Sequence, residues 1–255
     1  MAIKVLMLHG YAQSGPIFYA KSSGLRKSLA KLGYELYYPS APSRIPSVDI
    51  SSVDDMASVF NTNAGTENIF GWWLKDPHDQ YKVPQSTTDF LHDYIVENGP
   101  FDGIAGFSQG AGYAGYLCTN VRQLLGLTAE QQPDFKFFIS FSGFRMHPEW
   151  FQEQYNRHPI TVPSLHVMGE LDTVVESSRV MRLYNSCSEG TRTLLKHPGG
   201  HFVPNGKGFV AKVANWLQMA GEAPKQKCDN EAQQNPEQPD LGDDLLDAID
   251  GLGKV

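Results

Sequence analysis

The sequence predicts an α/β fold, a mostly parallel central sheet with helices on both faces. Short apolar runs alternate along the chain with amphipathic segments of helical period, the signature of repeated strand-helix units. The runs are nearly continuous in apolar residues, as expected of strands covered on both sides. At the centre of the chain one such run, Phe101 to Ala105, breaks at Gly106-Phe107-Ser108-Gln109-Gly110 into a stretch of small residues that reads as a helix.

In chain order, Ile3 to Leu8 reads as a first strand, and His9 to Gly15 as the loop at its carboxyl end. A helix is expected from about Ser22 to Leu32, with Leu25, Leu29 and Leu32 on one face and Gly33 as its stop. Tyr34 to Tyr38 is the second strand. Ser40 to Pro84 is a long, proline-interrupted irregular stretch carrying the aromatic run Phe70-Gly71-Trp72-Trp73, and loops of that length in a compact domain tend to be functional. Thr87 to Glu97 is a helix that buries Phe90, Leu91, Tyr94 and Ile95. After the central strand, the helix it launches runs to about Leu125. Phe135 to Phe141 and Ser164 to Met168 are buried strands, separated by a short helix over Pro148 to Tyr155. Ser177 to Asn185 is a helix, Arg192 to Lys196 the last strand, and Phe209 to Met219 the closing helix.

Composition bounds the function. Of the net charge of −7, −6 falls from residue 222 onward, where nine acidic residues face three lysines. The remaining body is close to neutral, which argues against nucleic-acid binding, since that requires clustered Lys and Arg. There is no apolar run of the roughly 18 residues needed to span a membrane. Ala2 to Leu8, interrupted by Lys4, reads as a buried strand and not as a signal peptide. The expected location is therefore the cytoplasm, with the nucleus as a second compartment. Cys118, Cys187 and Cys228 are odd in number and widely spaced, implying neither a disulfide framework nor a metal site. Residues 1–221 form the expected domain and 222–255 an acidic, disordered tail. Within the tail, Leu241, Leu245, Leu246, Ile249 and Leu252 have helical spacing and could dock into a partner's groove; an idle tail is the alternative.

The central motif is G-x-S-x-G in a strand-turn-helix setting, which is the nucleophile elbow. A serine hydroxyl becomes nucleophilic when a tight turn presents it beside a base and the amides of a helix start. Gly106 and Gly110 let the backbone pass on either side of that turn. Asp172 and His201 follow two further strands, so Ser108, Asp172 and His201 come in the chain order of the α/β-hydrolase fold. Ser108 would attack, His201 would carry the proton, and Asp172 would orient the imidazole. Each has a plainer reading: Asp172 could cap a turn, and His197 is a rival base four residues away. The flanking Gly199-Gly200 and Pro204 suit a loop that aims His201. An oxyanion needs two donors, and the backbone amides of Gln109 and Tyr11 are the candidates. His9 is expected to anchor its loop by a hydrogen bond. Trp72, Trp73, Phe107, Phe144, Met146 and Phe151 could line an acyl pocket or be ordinary core.

These blocks together, Asn98 to Ala111, Gly169-Glu170-Leu171-Asp172 and His197 to Asn205, resemble the FSH family of serine hydrolases, a fungal family of esterases and thioesterases. The resemblance covers most of residues 3–217. It implies an α/β-hydrolase fold, a cytosolic enzyme without metal or other cofactor, and the same three residues in the same roles. The substrate expected is a small acyl ester, with a CoA or carrier-protein thioester as the alternative. A binding module on a hydrolase fold is the reading from another class.

Overall fold

In the computed structural model, residues 2–45, 69–74 and 80–222 are described, all within one compact unit, Met1–Ala223. The residues beyond 222, including the tail and Cys228, lie outside the described set, as do Pro46 and Pro77 of the long loop.

Six strands form one parallel sheet: β1 (Ile3–Leu8), β2 (Tyr34–Tyr37), β5 (Gly103–Phe107), β6 (Phe137–Phe141), β7 (Ser164–Gly169) and β8 (Arg192–His197). Their order is β2-β1-β5-β6-β7-β8. Every residue of β5, β6 and β7 is buried, which is why these strands read as nearly continuous apolar runs. The edge strand β8 is only partly covered. Strand order reverses between β1 and β5, with Leu8 opposite Gly106, so the loops after these two strands diverge and leave a crevice at their carboxyl ends.

Helices cover both faces. α1 (Gly15–Lys21), α2 (Ser23–Lys31) and α8 (Lys207–Glu222) lie on one, where Phe18, Leu25, Leu29, Val213 and Leu217 pack with Val5, Ile139 and Val167. α3 (Gln85–Asn98), α4 (Gln109–Leu117), α5 (Val121–Leu125), α6 (Glu149–Arg157) and α7 (Ser177–Tyr184) lie on the other, around Trp72, Trp73, Phe138 and Leu6. No helix among the described residues is long and apolar enough to cross a membrane. Cys118 and Cys187 are free thiols.

Several boundaries differ from expectation, each for a local reason. The chain is already helical at Gly15, capped by the Ser14 hydroxyl and started by Pro16. Ser22 separates α1 from α2, its hydroxyl donating to Phe18 O at 2.8 Å. Leu32 follows the last helical residue and is 40% exposed, so it is not part of the inward face. The central strand starts two residues late, because the Phe101 N–H is taken by Gln132 Oε1 at 2.9 Å. The helix launched by the elbow stops at Leu117, and Asn120 caps a separate α5 by accepting from Gln123 N at 3.1 Å. Within the long loop, β3 (Ser43–Arg44) and β4 (Phe70–Gly71) form a small antiparallel pair.

Candidate active site

Ser108 sits between β5 and α4 with φ 51° and ψ −115°, a conformation that a residue with a Cβ adopts only when its surroundings force it. The forcing contacts can be named. A Cβ on Gly106 would overlap the Gly110 carbonyl group, and one on Gly110 would overlap the carbonyl oxygens of Leu8 and His9. The Ser108 N–H is bound to Phe141 O at 2.9 Å, tying the turn into β6. Ser108 is 7% exposed, and the first amides of α4, with no acceptor inside the helix, begin directly behind it.

Asp172 and His201 are brought together by the pairing of β7 with β8. Gly169 lies opposite His197, and beyond the strands Glu170 N–H donates to His197 O at 2.9 Å and Leu171 N–H to Gly199 O at 3.1 Å. A side chain on Gly169 would strike the carbonyls of Gly199 and Gly200, so the close approach of the two loops depends on it. At their tips, His201 Nδ1 lies 2.8 Å from Asp172 Oδ2, and both side chains are all but fully buried. An ionised carboxylate only accepts, so Nδ1 carries the proton. Asp172 Oδ1 accepts from the amides of Val174 and Val175 at 3.0 and 2.9 Å. Burial pushes the Asp172 carboxyl upward, but the bond from His201 and the Val175 amide outweigh it and hold the group below its ordinary value. The turn-capping reading of Asp172 and its pairing with His201 are thus both realised, one per oxygen.

Phe107, the residue before Ser108, lies against the His201 ring with centroids 4.8 Å apart and planes tilted by 40°. His197 does not reach the carboxylate pair: its Nδ1 accepts from Gly199 N at 3.2 Å, and its ring packs on Phe202 and Phe209. Ser142, which the sequence left unassigned, also has a positive φ, 48°, and is buried. A serine-glycine pair after a buried strand was the only signal for it.

Across the crevice, His9 has both ring nitrogens in backbone contacts: Nδ1 donates to Gly10 O at 2.7 Å, and Nε2 accepts from Ala41 N at 2.9 Å. Burial lowers its pKa to about 4, which keeps the ring neutral. Gly10 N–H donates to Gln13 Oε1 at 3.2 Å, so this amide is engaged. The Tyr11 ring lies against Gly71.

Of the six aromatic and sulfur side chains proposed for a pocket, five share one core, with Trp72, Trp73 and Met146 fully buried and Phe144 and Phe151 nearly so. Trp73 stacks on Tyr81 at 4.8 Å and meets Phe144 edge-on at 6.5 Å. The sixth, Phe107, belongs to the core on the opposite face of the sheet. An open cavity of about 250 Å³ does occur nearby, but of the six only Phe151 lines it, together with Tyr113, Tyr116, Leu124 and Trp150.

Comparison with known proteins agrees with this architecture. Residues 1–213 match the family described as Serine hydrolase (FSH1). The chain is 50% identical over 264 residues to Family of serine hydrolases 3 of Saccharomyces cerevisiae, spanning 99% of this chain and 98% of that protein. It is 56% identical over 223 residues to Family of serine hydrolases 2 of the same yeast, spanning 86% and 99%. Esterase OVCA2 of Danio rerio is 34% identical over 212 residues, 79% of this chain and 90% of its own. Among solved structures, esterase PE8 superposes with a TM-score of 0.58 at 19% identity, covering 86% and 93% of the two chains. Zea mays acyl-protein thioesterase 2 superposes at 0.54 with 18% identity, covering 86% and 94%. With its reversed parallel sheet, its elbow after β5 and these relatives along nearly its whole described length, the chain belongs to the serine hydrolase (FSH1) family and is a hydrolase of the α/β-hydrolase fold.

Proposed function

We propose that the chain is a serine esterase in which Ser108, His201 and Asp172 form the catalytic triad. The observation that carries this reading is the buried 2.8 Å bond between Asp172 and His201, with the imidazole against Phe107, the residue that precedes the strained Ser108 turn. Ser108 Oγ attacks the acyl carbonyl carbon while His201 Nε2 takes the hydroxyl proton, and Asp172 stabilises the resulting imidazolium. The amides of Tyr11 and Gln109 receive the oxyanion. Collapse expels the alcohol, which leaves with the proton from His201, and a water then hydrolyses the acyl-enzyme by the same route.

An oxygen ester is favoured because a relative at 34% identity carries the name esterase. The test is hydrolysis of p-nitrophenyl acyl esters, with labelling by a fluorophosphonate. One adduct on the parent, and neither adduct nor turnover in Ser108→Ala, is expected. Absence of both activity and adduct in the folded parent would overturn the assignment and leave a binding role on a hydrolase fold. Rates on matched oxygen and sulfur esters then decide the leaving group, and a clear preference for sulfur would move the reading to a thioesterase.

A further inference from the structure

We infer that the side chain of Gln109 is a positioning residue that holds the two oxyanion donors in register through the segment 70–73. The inference rests on the proposed serine-esterase reading and adds to it a residue function carried by the side chain, whereas that reading uses only the Gln109 backbone amide.

The two donors come from separate loops, one after β1 and one after β5, and neither loop bonds the other directly through the side chains named so far. Segment 70–73 lies across both. Toward the elbow, Gln109 Oε1 accepts from Trp72 N at 2.9 Å, and Gln109 Nε2 donates to Trp73 O at 2.9 Å. An amide N–H can only donate and a carbonyl only accept, so both ends of the Gln109 side chain have a fixed orientation. Toward the β1 loop, the Trp72 indole N–H donates to His9 O at 2.8 Å, and Phe70 N–H donates to Gln13 O at 2.7 Å. His9 and Gln13 bracket Tyr11, so the peptide bearing the proposed donor is held from both sides. Thr87 Oγ1 donates to Trp72 O at 2.9 Å, fixing the segment from behind. Gln109, Trp72 and His9 are all 4% exposed or less, so no water competes freely for these bonds.

A buried glutamine is a costlier choice for simple packing than an apolar residue of similar size. Its two bonds to the dipeptide Trp72-Trp73 make sense if separation must be controlled, because an oxyanion site tolerates little misplacement. A shift of about 1 Å in a catalytic array can cost on the order of a hundredfold in rate.

The test compares the full chain with Gln109→Leu, which keeps volume but loses both bonds, with Gln109→Glu, which keeps the acceptor toward Trp72, and with Trp72→Phe, which loses the indole donor and part of the buried ring. Steady-state hydrolysis of a p-nitrophenyl ester, inhibition by a trifluoromethyl ketone and the far-ultraviolet melting curve are measured for each. The expected result is a kcat reduced roughly ten- to a hundredfold in Gln109→Leu with KM changed by less than about twofold. Affinity for the ketone should fall in step with kcat/KM, and Gln109→Glu should recover part of the loss. If Gln109→Leu does not fold, Trp72→Phe carries the same expectation at about tenfold. Folded variants that retain parental kcat, or that lose kcat/KM without losing ketone affinity, would overturn the inference. A parent that neither turns over ester nor takes the fluorophosphonate label would instead overturn the esterase reading on which it rests.

Discussion

Gly110 shows how tightly single atoms are constrained around Ser108. A methyl group there would overlap two successive backbone carbonyls of the β1 loop, and backbone cannot rotate away as a side-chain tip can. Gly110→Ala should therefore lower stability by about 3 kcal/mol or more, at the upper end for an overpacked site, read as a drop in urea midpoint. Asp172 gives a prediction with a defined pH range. Its folded pKa lies below the ordinary 3.8, so the stability it contributes is complete above about pH 4 and disappears as pH falls through the lower, folded value. The stability difference between the parent and Asp172→Asn should be present at pH 7 and shrink below pH 4; a gap that stays constant with pH would mean that the carboxylate charge is not what the site stabilises.

At the scale of elements, the site hangs on strand ends and on the pieces that fasten them. The six strands and the elbow were legible because buried strands are apolar throughout and because G-x-S-x-G sits where a strand must turn into a helix. The pairing of Asp172 with His201 was legible through chain order, whereas His197 differed from His201 only by which ring the β8 loop directs toward the carboxylate. Other features were written in interactions that have no period. Asn120 divides two helices with a side-chain hydrogen bond that competes locally with the backbone, so the continuous helical pattern to Leu125 hid a break, while α1 before Ser22 was not foreseen at all. The Gln109 bridge joins residues 36 and 37 positions apart, and no local motif announces such a contact. The pocket residues were identified by size and apolarity alone, which cannot tell a wall from a core. Since Asn120 supplies the cap of α5, Asn120→Ala should cost about 1 kcal/mol, or a fall of roughly 2–4 °C in melting temperature. No effect on hydrolysis is expected from that change, since the cap lies at the opposite end of α4 from Ser108.

For the molecule as a whole, three buried histidines outside the proposed triad, His9, His166 and His197, shape its response to acid, and burial lowers the pKa of all three. Burial holds His9 at about 4, and burial with the nearby Arg192 cation holds His166 at about 3, both well below 6.5. Their neutral forms belong to the fold, so stability is complete above pH 6.5 and declines as the unfolded chain takes up protons that the native state refuses. The decline should total about 3 kcal/mol from His9 by pH 4, with a comparable share from His166. Urea unfolding from pH 7.5 to 4.5 measures it, and His9→Gln, which can still accept from Ala41 and donate to Gly10, should flatten part of the slope. A midpoint independent of pH over that range would contradict the burial assignment.

The partly covered edge strand β8 gives the site an uneven mechanical footing. Ser108 is rooted in a central strand that is buried along its whole length, while His201 hangs from the margin of the sheet, where among the described residues one side of the ladder has no neighbour. Amide exchange with solvent deuterium should therefore be faster along 192–201 than along 103–107, through local openings that leave the rest of the sheet closed. In such an opening the proposed base would part from a proposed nucleophile that is still in place. Enzymatic silence would then precede unfolding, and would reverse as soon as the edge re-forms.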